Sequence, residues 1–179
     1  VHKYWTPVGI PSTIHSLVGV ALGLLLVFRT NSSYDRYWEG RRLWGGIVNA
    51  SRNLVRSASV HIGDRESLLR LVNWTVAFPY AAMSTLRGAP SLGRAARDLP
   101  SNGEHLAGSH HLAISVAAEM TSCLRDAQRR SGFSDMILVS LEAHVKELVD
   151  QLGGCERIRK TPLPFAYVLH LRRALVLYC

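Results

Sequence analysis

Hydrophobic and polar positions divide the chain into one long uncharged run followed by a series of amphipathic stretches. The run SLVGVALGLLLVF starts at Ser16 and ends at Phe28, and at Arg29 it passes abruptly into the arginine-rich RTNSSYDRYWEGRRLW. No proline interrupts Ser16 to Trp44, and its glycines stand singly until Gly45-Gly46. The pattern therefore predicts one helix with an apolar first half and an aqueous second half. Such a helix reaches roughly 43 Å at ~1.5 Å per residue, against about 30 Å for a bilayer core. On its own the run is shorter than the ~18 to 20 residues of a membrane span, and it equally fits a buried core helix. Extension back to Val8 supplies the length but takes in Pro11, Ser12, Thr13 and His15. Ser12 or Thr13 is suited to cap the helix, and Gly19 and Gly23 form a weak GxxxG contact motif. Val20, Leu24 and Phe28 recur every fourth position and share one face.

Periodicity stays helical downstream. Tyr37, Trp44, Val48 and Val55 recur with arginines between them, and Gly63-Asp64 marks a turn. A helix from Glu66 to Leu86 is apolar but carries Arg70, Asn73 and Pro79, which suits burial in a bundle better than a membrane. Residues 87–109 are rich in glycine and proline and allow only short helical pieces. Leu112 to Arg130 forms the next helix, ended by Gly132. Ser134 then caps a helix to Leu152, with Leu138, Leu141, Val145, Leu148, Val149 and Leu152 as its apolar stripe and Gly153 as its stop. Glu142 and Lys146 are spaced for an i, i+4 pair. Arg157, Arg159 and Lys160 precede Pro162 and Pro164, after which another apolar helix begins.

The expected organisation is all-α. An interfacial loop rich in Trp, Tyr and Pro covers 1–11, and a membrane helix covers 12–33. A helical bundle occupies 34–161, and 162–179 starts a second membrane helix. Basic residues flank both apolar helices on the bundle side, which places the bundle in the cytosol. Both ends interrupt a pattern, as in an internal piece of a longer protein.

Composition narrows the function. Hydrophobic residues make up 47%, too few for an all-membrane bundle. A formal charge of +8, from 21 Lys and Arg against 13 Asp and Glu, favours anionic partners. Its arginines are scattered over several helices, not gathered in the stripe of a nucleic-acid binder, so no nucleic-acid partner is expected. Cys123, Cys155 and Cys179 form no CxxC pair, which argues against a zinc site or disulfide framework. His105, His110 and His111 lie close in sequence but lack HExxH or a cysteine companion, so no metal is expected. No nucleophile elbow, paired carboxylates or phosphate loop points to an enzyme.

Two segments carry a family resemblance: FRTNSSYDRYWEGRRLW within residues 16–56, and LGGCERIRKTPLPFAY from Leu152 to Tyr167. Both resemble the bestrophin family, including its bacterial, fungal and plant members. The resemblance implies one subunit of a homopentameric, multi-pass ion channel, with four membrane helices per subunit and a cytosolic helical region. This chain would hold the second membrane helix and the start of the third. Val20, Leu24 and Phe28 match the hydrophobic neck, and Met136, after Phe133-Ser134-Asp135, matches a cytosolic constriction. Arg29, Asn31 and Ser32 would meet the ion as it leaves the neck. Family pores pass chloride and other monovalent anions, some bicarbonate or nitrate, and one bacterial homologue prefers cations. Calcium in many eukaryotic members is bound outside the stretch matched here, so this chain itself implies no cofactor. Valine at position 20 is smaller than the usual residue, and Met136 is flexible, so both rings should be loose. The reading of another class is a soluble basic helical adaptor for acidic partners or nucleic acid.

Overall fold

In the computed structural model, the described residues are 11–89, 91–106, 108–162, 169 and 172–176. The expected interfacial loop, apart from Pro11, and most of the expected second membrane helix lie outside them, as does Cys179. Among the described residues there are helices and no strands, as the all-α reading expects. The α-helices are α1 (Ser12–His61), α2 (Arg65–Arg87), α3 (Leu112–Ser131) and α4 (Asp135–Lys160). Between α2 and α3 the irregular stretch holds two 3-10 turns, Gly93–Asp98 and Pro100–Leu106. The chain divides into two compact units, Val1–Trp38 with Thr161–Cys179, and Glu39–Lys160.

The long helix foreseen from the uncharged run is a single element, and α1 belongs to the first unit up to Trp38 and to the second beyond it. It starts at Ser12 itself. Pro11 offers its carbonyl to the amides of Ile14 (2.9 Å) and His15 (3.4 Å), so Ser12 and Thr13 lie in the first turn and do not cap it. In the first unit the Arg36 guanidinium donates to the Thr161 carbonyl.

The second unit is a bundle around one core. Ile47 and Leu54 come from α1, Leu71, Trp74 and Phe78 from α2, Val116, Met120 and Leu124 from α3, and Leu141, Leu148 and Leu152 from α4. On α1 the buried stripe is Ile47, Ala50, Leu54 and Ala58, continued by Ile62 just past its end, whereas Tyr37, Trp44 and Val48, which the periodicity picked out, are exposed. Two of the buried positions are alanines, whose weak hydropathy hides the stripe in the sequence while their small size lets helices approach.

Helix ends are tied by side chains. Asp64 accepts the amides of Glu66 (3.3 Å) and Ser67 (3.1 Å) and the Ser67 hydroxyl (2.5 Å), closing the first turn of α2. The Ser67 hydroxyl, then its amide and the Arg130 guanidinium, hold the Asp64 carboxyl below the ordinary aspartate range. At the other end of α2, Arg159 donates to the carbonyls of Thr85 (2.8 Å), which also accepts the Gly88 amide, and Leu86 (2.9 Å), in the last turn whose acceptors lack intrahelical partners. Arg157 pairs with Glu39 at 2.6 Å. Two members of the expected membrane-flanking cluster thus serve the bundle. Asn73, an interruption in sequence, donates to the Asp98 carbonyl at 2.7 Å and fastens the irregular stretch to α2.

Two expectations change. Gly132, at φ 69°, does end α3, but α4 does not stop at Gly153; it continues to Lys160. Gly154 is buried against Leu43, where a Cβ would lie 2.6 Å from Leu43 Cδ2, and at Gly46 a Cβ would lie 2.5 Å from Gln151 Cδ. These glycines permit close crossing of α1 and α4 and do not break a helix. Lys146 pairs with Asp150 (2.7 Å) instead of Glu142, because Glu142 accepts from the Thr121 hydroxyl of α3 (3.0 Å).

The two adjacent glycines should answer alanine differently. Gly153 faces open space, so Gly153→Ala should stabilise by about 0.5–1 kcal/mol through helix propensity. Gly154→Ala forces Leu43 aside and should destabilise by about 1–3 kcal/mol. Thermal unfolding of the two variants in detergent measures the contrast, and equal shifts would count against the close crossing.

Candidate functional site: the apolar length of the first helix

From Ser12 to Phe28, α1 carries no charged residue and presents apolar side chains on every side, and nearly all are uncovered. An 18-residue window of the helix reaches mean hydropathy 1.7 with 6% of it buried. Leu22 is the buried exception within this length. Val20, Leu24 and Phe28, which the sequence placed on one face, are 70%, 58% and 56% exposed. Leu17, Leu26 and Val27 are exposed on other faces. A helix apolar all round is stable only if something beyond its own fold covers it, either lipid or neighbouring helices.

The polar residues that follow are organised more narrowly than the sequence suggested. Thr30 donates its hydroxyl to the Leu26 carbonyl (2.9 Å), Ser32 to that of Phe28 (3.0 Å) and Ser33 to that of Arg29 (3.0 Å). Each proton is spent on the helix's own backbone. Ser32 therefore turns a lone pair outward, and it can donate to an anion only by leaving the Phe28 carbonyl. Asn31 is exposed and Arg29 half-buried.

One turn further lies a group that sequence reasoning missed. The ring of Trp38 meets Tyr34 edge-on at 6.1 Å and Tyr37 at 6.2 Å, all three exposed. Amphipathic rings at the end of an apolar helix suit a membrane–water boundary. The signal lies in YDRYW, where helical periodicity counts Tyr37 in a stripe with Trp44, Val48 and Val55.

Met136 belongs to the second unit, in the first turn of α4, and is 79% exposed. Gln128 from α3 fixes that turn, donating to the Phe133 carbonyl (3.3 Å) and to Asp135 (2.7 Å). The histidines are occupied elsewhere. His105 contacts Glu119 (3.2 Å) and stands edge-on to Trp74, and His111 bonds Glu156 through Nε2 (2.6 Å) while its Nδ1 accepts the Ile114 amide. Among the described residues no group of three His, Cys, Asp or Glu is placed to hold a metal.

An uncovered apolar helix with an aromatic collar, running on into a packed polar-faced bundle, defines a helical protein of the membrane-inserted class. The family model described as bacterial/fungal bestrophin protein matches residues 1–179. A voltage-dependent anion channel-forming protein of Nostoc sp. is 39% identical over 97% of this chain and 58% of its own length. The YneE protein of Escherichia coli, described by the same phrase, is 34% identical over 98% of this chain and 59% of its own. A crystal structure of a bacterial bestrophin homologue from Klebsiella pneumoniae superposes with a TM-score of 0.89 at 30% identity, covering 97% of this chain and 65% of that one. Another, described as a membrane protein, superposes with a TM-score of 0.88 at 31% identity, covering 97% and 65%. The chain belongs to the bestrophin family. It spans a little over half the length of the curated relatives it matches.

The collar makes a positional prediction. In full-length protein reconstituted with lipids brominated near the headgroup, Trp38 should be quenched strongly and Trp74, 1% exposed within the bundle, hardly at all. Single-tryptophan variants measure this directly, and equal quenching would remove Trp38 from the boundary.

Proposed function

We propose that the full-length protein is a homopentameric, multi-pass channel, not an enzyme, and that this chain contributes its pore-lining helix. Residues 12–33 cross the membrane, 34–161 form the cytosolic helical domain, and 162–179 begin the next membrane helix. The ions are monovalent anions, with chloride first and bicarbonate and nitrate as further candidates. The observation that carries the reading is the outward face of Val20, Leu24 and Phe28, exposed among the described residues. A soluble adaptor would hold this surface against water, which the area of exposed apolar side chains opposes.

Five copies around an axis turn the three positions into three stacked apolar rings. A narrow apolar ring sheds water, so an ion entering it faces a desolvation barrier. Slight widening wets the ring and opens the path, which makes small helix movements sufficient for gating. Phe28 adds sign: the ring edge is electropositive, and edges turned to the axis favour an anion. Arg29, Asn31 and Ser32 receive the ion below. Met136 forms the cytosolic constriction, where a flexible thioether gives a forgiving size filter.

Single-channel recording on the full-length protein tests the assignment. Leu24→Ala with Phe28→Ala should raise conductance severalfold or abolish closure, and unchanged currents would take these side chains out of the neck. Met136→Ala should shift permeability ratios among anions of different size more than open probability. A reversal potential that follows the chloride gradient supports the anion assignment; one that follows the cation gradient overturns it.

A further inference from the structure

Within the second unit, α1 and α2 leave an open groove of about 550 Å³ between them. Its walls are Ile47, Val48 and Val55 from α1 and Val76, Pro79 and Tyr80 from α2. Two hydroxyls lie along it, but Ser51 donates to the Ile47 carbonyl (2.8 Å) and Thr75 to the Leu71 carbonyl (2.8 Å). With both protons spent on their own helices, the lining is effectively hydrocarbon. The exceptions are Arg52 and Arg56, one turn apart on α1 and both exposed. Ion pairs of arginine among the described residues involve Arg129, Arg130 and Arg157, so neither groove arginine meets a carboxylate of the described residues.

We propose that this groove binds an amphiphilic monoanion, a medium-chain fatty-acid carboxylate. Its head sits on Arg52 and Arg56, and its chain lies along the valine-lined walls. Guanidinium groups hold a carboxylate through two parallel N–H donors, and two guanidiniums on one helix face present more donors than a single head needs. A bare inorganic anion gains nothing from the apolar walls, and an uncharged lipid leaves both arginines unused. The volume lies within the usual range for small-molecule sites. From Ile47 to Arg56 the α1 wall runs about 14 Å, the reach of a medium-length acyl chain. The assignment stands apart from the conduction reading, because the groove lies in the second unit and its occupancy is measured without current.

The test uses full-length protein in nanodiscs of zwitterionic lipid, photolabelled with diazirine-bearing decanoate and mapped by peptide mass spectrometry. Label is expected in peptides carrying Ile47 to Arg56 and Val76 to Tyr80. Protection by unlabelled acids should strengthen from hexanoate to decanoate by up to about fourfold per methylene. Arg52→Gln with Arg56→Gln should cut labelling at least tenfold with the melting temperature unchanged, and the methyl ester should not label the groove. Labelling that survives the double variant, or that the ester matches, overturns the proposal. So does an unlabelled groove; a crosslink to a neighbouring subunit from a photoreactive side chain placed at Val76 would then assign it to a second copy of the chain.

Discussion

One hydrogen-bond ladder has to serve two environments in α1, and the rest of the structure follows from how it does so. A helix satisfies its backbone internally, so it can leave water without exposing amides or carbonyls, provided its side chains suit the new surroundings. From Ser12 to Phe28 those side chains are apolar on all faces. From Glu39 onward the same helix gives up one face to a protein core and keeps arginines on another. The change of solvent is written entirely in side chains, with no break in the backbone. Thr30, Ser32 and Ser33 lie at the junction, where their hydroxyls add second donors to carbonyls already in the ladder.

The aqueous half of α1 is held by contacts chosen for closeness. Gly46 and Gly154 remove the side chains that would keep α1 and α4 apart, and Ala50 and Ala58 do the same toward the core. The charged groups then secure the ends. Arg157 fastens α4 to α1 through Glu39, Arg159 closes the last turn of α2, and Asp64 with Arg130 links the start of α2 to the end of α3. Most of these side chains are partly solvated, so each pair contributes little energy by itself. Their joint effect is to fix helix ends, leaving the packed leucines and aromatics to supply the bulk of stability.

How much of this was legible follows from which signals are local. The apolar run, the turn at Gly63-Asp64, the irregular stretch before Leu112 and the stop at Gly132 are properties of short windows, and the structure agrees with each. Gly153 misled because a glycine that ends a helix and one inside it look alike in sequence; α4 runs on through it, with Gly154 packed on Leu43, more than a hundred residues away. Lys146 and Glu142 misled similarly, since Thr121 on another helix claims the carboxylate. The face of Val20, Leu24 and Phe28 was legible as a face, but its bareness was not, because exposure depends on what the remaining chain fails to cover. The role proposed for that face rests on family likeness, which spacing does not carry.

The hydroxyls beneath the proposed neck bear on the sign of the permeant ion. A pore that prefers anions needs positive edges or donated protons facing its axis. In α1 the serine and threonine protons are turned back to the helix, so the outward oxygens are acceptors and by themselves suit a cation. Were the proposed pore anion-selective, that preference would have to come from the Phe28 ring edges and the Arg29 guanidinium, with the hydroxyls neutral at best. Phenyl edges act only at contact range, whereas a guanidinium charge reaches about a Debye length, ~8 Å at physiological salt. In the proposed pore the narrow ring would set discrimination at the moment of dehydration, while arginine would set the local anion concentration. Since dehydration occurs only where the bore is tight, selectivity and gating in such a pore rest on the same few apolar side chains.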